Sequence, residues 1–299
     1  MHLKKIRSTV LLFLTAGIWG FAFVAQVVGG EHMGSMTFNA LRFFLGAVSL
    51  VPAILVFERG ALKNRALLRH SLLASLGAGV ILFVAAALQQ YGVDITHSSG
   101  KSGFITGLYT VLVPVFAFVF WRKRTPAQIW VGAFLCLAGL FLLCMSGEVL
   151  RFGRGELLLF AGAIFWAFHI LYLDRFANTI SALLFCFGQF LTCALCSGIA
   201  ALLTETITLS SIRGGLAPVL YGGLLSVGVA YTCQLLAQKD ADPAFATIVF
   251  STESVFSAIG GALLLHEVLE WKNYLGCLLM FAGIVVSQLR WKSKKRRSA

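Results

Sequence analysis

Long apolar runs, separated by short polar or basic breaks, dominate the 299-residue chain. A helix needs about 20 predominantly apolar residues to cross ~30 Å of hydrocarbon. Ten segments meet that need: residues 8–28, 36–57, 71–92, 99–121, 126–146, 155–174, 179–203, 214–237, 243–265 and 272–290. The pattern is written twice. W-V-G-A-F-L-C-L-A-G at 130–139 reappears as Y-L-G-C-L-L-M-F-A-G at 274–283, which sets Gly132 and Gly139 on Gly276 and Gly283. I-W-G-F at 18–21 is echoed by F-W-A-F at 165–168, so Trp19 matches Trp166. The expected fold is an all-α integral membrane protein of ten transmembrane helices in two five-helix repeats, residues 1–147 and 155–291, with a basic tail at 292–299. Five spans per repeat invert one half relative to the other. Duplicated bundles of this kind build many secondary transporters, with the substrate path between the repeats.

Composition narrows the class. With 59% apolar and 12% charged residues and a mean hydropathy of +0.87, the chain is too apolar for a soluble domain of this length. Charge then orients it, because cytoplasmic loops collect Lys and Arg. With the amino terminus inside, the inner segments hold eighteen: Lys4, Lys5 and Arg7; Arg59, Lys63, Arg65 and Arg69; Arg122, Lys123 and Arg124; Arg175; Lys239; and Arg290, Lys292, Lys294, Lys295, Arg296 and Arg297. The outer segments hold five, namely Lys101, Arg151, Arg154, Arg213 and Lys272, and Arg42 is left inside a span. Ten spans with both ends in the cytoplasm follow. The net charge of +12 is then explained by juxtamembrane cations that fix topology and attract anionic lipid, so no nucleic-acid partner is expected. The first apolar run reads as a retained span, since its length and internal Trp19-Gly20 do not suit a cleaved signal peptide. All seven cysteines fall within expected spans, and the Cys193/Cys196 pair lacks the second ligand pair of a metal site. No metal or cofactor is expected.

Ionisable groups within a membrane are costly and often functional. Glu253 lies about eleven residues into the ninth span, so about 16 Å deep at 1.5 Å per residue, among Ser251, Thr252, Ser254 and Ser257. It is a candidate carrier of a coupling proton; the alternative is a structural hydrogen-bond acceptor. Ser257 shares its face one turn on. Arg42, beside Asn39 in the second span, either pairs with Glu253, meets an anionic group of a substrate, snorkels outward or binds backbone carbonyls. The fourth span places Lys101 near its outer end and Thr106, Tyr109 and Thr110 deeper, with Gly100, Gly103 and Gly107 allowing close approach and Pro114 marking a hinge. On this reading Val113 corresponds to Glu253. Gln89 and Gln90 at the end of the third span, and Gln234 and Gln238 in the eighth, form a recurring pair that suits the two mouths of one cavity. Trp19 and Trp166 are deep, matched aromatics suited to substrate stacking or to helix packing. His169 and Gln189 read as satisfied single polar groups, and His266-Glu267 as a solvated turn. No paired catalytic constellation is present, so no enzymatic activity is expected.

Taken in order, I-W-G-F at 18–21, L-R-F-F-L at 41–45, F-I-T-G-L-Y-T-V-L-V-P at 104–114, F-W-A at 165–167, S-T-E-S-V-F at 251–256 and L-L-L-H-E at 263–267 resemble the EamA family of the drug/metabolite transporter superfamily over nearly the whole chain. The resemblance implies a ten-helix inverted-repeat fold and substrates that are mainly amino acids and related metabolites, often exported. Two departures stand out. Ser254 occupies a position where the family often has Pro after the glutamate, which puts a kink there in doubt. No carboxylate lies in the first span, so the coupling scheme of the small multidrug resistance relatives does not transfer. The expected function is a secondary transporter in the inner membrane that exports a small metabolite by alternating access, with a xenobiotic exporter or a lipid-carrier flippase as alternatives. The expected partners are a small-molecule substrate, the lipid bilayer and a proton as coupling ion. Oligomeric state is not written in the chain.

Overall fold

The computed structural model describes residues 2–96, 99–144, 153–264 and 270–289. Every regular element among them is helical: α1 His2–His32, α2 Ser35–Phe57, α3 Arg59–Lys63, α4 Arg65–Thr96, α5 Ser99–Gly107, α6 Tyr109–Trp121, α7 Ala127–Cys144, α8 Arg154–Phe176, α9 Ala182–Thr204, α10 Leu209–Gly214, α11 Leu216–Leu220, α12 Thr232–Gln238, α13 Pro243–Phe250, α14 Glu253–Leu264 and α15 Trp271–Gln288, with wide π-type turns over Tyr221–Tyr231 between α11 and α12. Among the described residues, eight stretches are long and apolar enough to cross a membrane. The sequence reading expects ten. The two that fall short are the fifth and tenth: α7 is a shorter apolar run, and the polar Trp271-Lys272-Asn273 opening dilutes α15. The basic tail and the His266-Glu267 turn lie outside the described residues.

Hydrophobic side chains such as Phe57, Leu202, Leu203 and Leu278 point outward, and small and polar residues such as Ala78, Ala85, Asn39 and Gln189 share the interior with Phe38, Phe43, Phe185 and Leu82. The exposed apolar surface suits a bilayer, where burying leucine from lipid gains little and close packing of small residues holds helices together. α2 lies along α9, α4 against α8 and α9, α7 along α15, and α1 against α14 and the π-type turns. The α7–α15 seam shows the mechanism. A Cβ added to Gly132, Gly139, Gly276 or Gly283 would sit 2.5 to 2.7 Å from the carbonyl oxygen of the glycine opposite. Gly132 faces Gly283 and Gly139 faces Gly276, so the two helices run antiparallel with their backbones in contact.

α2 and α9 are locked by a reciprocal device. Glu205, just past the end of α9, accepts from the backbone N–H groups of Met36 (2.7 Å) and Thr37 (2.8 Å) in the first turn of α2. Glu58, just past the end of α2, accepts from Leu183 and Leu184 (3.0 Å each) in the first turn of α9 and also binds Ser181. Each carboxylate satisfies donors that the start of a helix leaves unpaired and lies at the positive end of that helix's dipole. Glu205→Gln is expected to lower stability by about 1–2 kcal/mol, because a neutral amide accepts fewer bonds and carries no charge. Thermal melting of the detergent-solubilised protein tests it, with exposed Glu31→Gln as reference; equal melting of the two variants would show that the clamp contributes nothing.

Two helical stretches are interrupted close to each other. α5 gives way to α6 at Leu108, and α13 to α14 at Ser251–Thr252. The first break therefore falls at Leu108, next to Gly107, and not at Pro114, which lies inside α6. The second arises without proline. Thr247, Ser251 and Thr252 each turn their hydroxyl back onto a carbonyl three residues earlier (2.7–2.9 Å), and such bonds compete with the helical ladder.

Candidate functional site

The broken helices meet beside a cavity. Across it, Tyr109 Oη donates to Glu253 Oε1 (3.1 Å). Both residues open the helix that follows their break, and 144 positions separate them, as 144 separate Gly132 from Gly276. That interval sets Tyr109 opposite Glu253, where the sequence reading set Val113. Thr110 Oγ1 donates to the carbonyl of Thr247 (3.2 Å), which ties the two interruptions together.

The cavity is narrow, about 50 Å³ in volume. Trp19, Phe23 and Gln26 line it from α1, four and three residues apart and so on one helical face. Arg42 comes from α2, Gln89 from α4, Thr106 and Tyr109 from either side of the first break, and Trp166 and Ile170 from α8. Ser226 and Tyr231 come from the π-type turns, Gln234 from α12 and Glu253 from α14. Glu253 is 4% exposed and Arg42 5%. They do not pair: the ion pairs between described side chains are Lys4–Asp240 and Lys123–Asp242. Arg42 instead donates from Nε to Asn39 Oδ1 (2.9 Å), and its guanidinium carbon lies 5.2 and 5.0 Å from the ring centres of Phe38 and Phe43.

Aromatic residues form the floor. Tyr231 contacts Trp19 edge-on at 4.8 Å between ring centres and stacks beside Trp166 at 6.2 Å. Trp19 Nε1 donates to the Ser226 carbonyl (3.2 Å) and Trp166 Nε1 to Gln89 Oε1 (2.7 Å), so both indole N–H groups are held.

The structure brings together Trp19, Arg42, Thr106, Tyr109, Trp166, Gln234 and Glu253 from the sequence candidates. It leaves out four. Gln90 turns away, donating to the Gln26 carbonyl (3.2 Å) and Asp94 Oδ1 (3.0 Å), and its neighbour Gln89 takes the cavity position. Successive residues on a helix point about 100° apart, so only one of the two can face inward. Thr110 and Pro114 do not line the cavity, and Ser257 packs where α14 meets Gly20 of α1. For Lys101 only the backbone, in α5, is among the described features. Gln238 bonds the Ile170 carbonyl (3.1 Å) and does not line the cavity either. Tyr231, Gln26, Ser226 and Phe23 are cavity residues that the sequence reading missed.

The EamA-like transporter family matches residues 7–145 and again residues 153–288. This chain belongs to the EamA-like transporter family. It is a multi-span membrane transporter. Among similar proteins, an uncharacterized transporter of Archaeoglobus fulgidus is 23% identical over 96% of this chain and 87% of its own length. The uncharacterized inner membrane transporter YedA of Escherichia coli K12 is 25% identical over 92% of this chain and 89% of its own length. The uncharacterized transporter YoaV of Bacillus subtilis is 23% identical over 93% and 95%. A solved crystal structure superposes with a TM-score of 0.78 at 20% identity, covering 94% of this chain and 97% of that one, and so shares the fold. The EamA match falls once on each half of the repeat read from the sequence, and the cavity draws residues from both matched regions.

Proposed function

We propose that this EamA-like transporter is a secondary transporter that exports amino acids or related small metabolites across the inner membrane by alternating access. On this reading α7 and α15 complete ten spans, in two inverted repeats at 1–147 and 155–291, with both termini and the 292–299 tail in the cytoplasm. The observation that carries the mechanism is the pair of helix breaks, at Leu108 and at Ser251–Thr252, facing each other across a cavity through the Tyr109–Glu253 hydrogen bond. Interrupted helices near the midplane at a repeat interface are where alternating-access transporters bind cargo and coupling ions. The antiparallel α7–α15 seam and the reciprocal Glu58 and Glu205 caps support inversion, since each joins matched elements of the two halves head to tail. The narrowness of the cavity favours a small metabolite over a bulky xenobiotic.

Counterflow tests the function: liposomes carrying the purified protein are loaded with a pooled amino-acid and metabolite mixture, and exchange is followed by mass spectrometry against protein-free liposomes. Selective exchange of one compound class is expected; a folded preparation that exchanges none of the pool would move the assignment to xenobiotic or lipid cargo. Topology has its own test. A single cysteine placed by Ala299→Cys in a cysteine-free background should resist membrane-impermeant thiol reagents in intact cells, and labelling there would put the carboxyl terminus outside.

A further inference from the structure

Arg42 is a deeply buried cation with no counter-ion among the described residues. One guanidinium nitrogen is engaged by Asn39, which is itself oriented by donating from Nδ2 to the Ala86 carbonyl (3.2 Å). The aromatic faces of Phe38 and Phe43 flank the group, and its terminal nitrogens donate no hydrogen bond to a described residue. A charge held away from water without a carboxylate is costly, and a resident ion pair with Glu253, available in principle because both line the cavity, is not formed. Nearby acceptors are also unfilled: Gln26 Oε1 and Gln234 Oε1 belong to residues that line the same cavity, are buried and have no partner, and the Thr106 hydroxyl is likewise unbonded.

We propose that the cavity takes a small carboxylic acid that also carries an N–H or O–H donor, with its carboxylate on the Arg42 guanidinium and its apolar part against Trp19, Trp166 and Tyr231. This rests on the transport reading and assigns a charge preference within it. The guanidinium offers two parallel donors matched to a carboxylate, a geometry that Lys does not reproduce. Asn39 acts as a positioning residue that fixes the fork. A substrate lacking the anion leaves Arg42 buried and unpaired, so neutral analogues are rejected.

The test compares acids with their primary amides. Isothermal titration of the wild-type protein in detergent uses L-leucine, L-phenylalanine and L-lactate, each against its amide, and counterflow in liposomes uses the same panel. At least one acid should bind, with its amide about 30-fold weaker or worse, the usual consequence of removing one partner of a buried charge pair. Arg42→Gln should abolish the acid preference, and Arg42→Lys should keep its sign at reduced affinity. The wild-type comparison requires no variant, so a folding failure of Arg42→Gln does not decide the matter. Amides that bind as well as acids, an acid preference that survives in Arg42→Gln, or no acid bound at all would each overturn the assignment. If liposomes exchange acid and amide alike, transport stands and the anion site falls.

Discussion

Gly139→Leu is expected to remove most folded protein from a detergent extract, whereas Gly60→Ala leaves it unchanged. At Gly139 a Cβ alone would lie 2.5 Å from the Gly276 carbonyl oxygen, 2.6 Å from Met280 Cγ and 3.0 Å from the Met280 amide nitrogen. Backbone atoms cannot rotate away as a flexible side chain can, so α7 and α15 must separate. Separation also breaks the bonds that the seam supports, from Cys136 Sγ to the Met280 carbonyl (3.4 Å) and from Asn273 Nδ2 to the Leu143 carbonyl (2.7 Å). Overpacking usually costs about 1–3 kcal/mol and occasionally more, and a clash with helix backbone belongs at the upper end. Gly60 has nothing within 4 Å, so its alanine gains only helix propensity. Gel filtration and tryptophan-monitored melting of both variants give the result. A monodisperse Gly139→Leu protein that melts with the wild type would mean that the helices do not touch there.

These glycines show how much of the fold is legible in the sequence. Their sevenfold spacing, repeated 144 positions later, marks a contact surface on its own, because only a residue without a side chain permits backbone-to-backbone approach in lipid. The same holds for I-W-G-F. Gly20 lets α1 press on α14, where an added Cβ would meet the Glu253 carbonyl at 2.5 Å, and Trp19 beside it reaches the cavity. What the sequence hides depends on rotation and on distance along the chain. The choice between Gln89 and Gln90 turns on one residue of helical phase. Tyr231 ends a π-type stretch whose wide turns shift every later side chain, so a 3.6-residue period does not place it facing Trp19. Glu58 and Glu205 lie just past the ends of apolar runs. Their function as caps depends on helix starts about 125 residues later and 170 residues earlier, although the 147-residue interval between them equals that between Trp19 and Trp166 and is itself written in the chain. The break before Glu253 carries no proline to announce it, and the run of hydroxyls produces it instead.

Glu253→Gln is expected to reduce counterflow to the protein-free background, or to leave exchange that no longer responds to a proton gradient, while the protein stays folded. The substitution is chosen to separate the two roles the site allows. Glutamine keeps the size of the side chain and an oxygen that accepts from Tyr109, so a purely structural acceptor is preserved. What it removes is the capacity to gain and lose a proton at the point where both broken helices meet the cavity. A carboxylate there changes the local charge by one unit on each protonation, and in a water-poor interior that is enough to bias which broken helix can move. Tyr109→Phe is the complementary change, since it takes away the donor and leaves the carboxylate, and it should weaken rather than abolish flux. If Glu253→Gln carries the same flux with the same dependence on external pH, the carboxylate is structural, and coupling must be sought outside the described cavity residues.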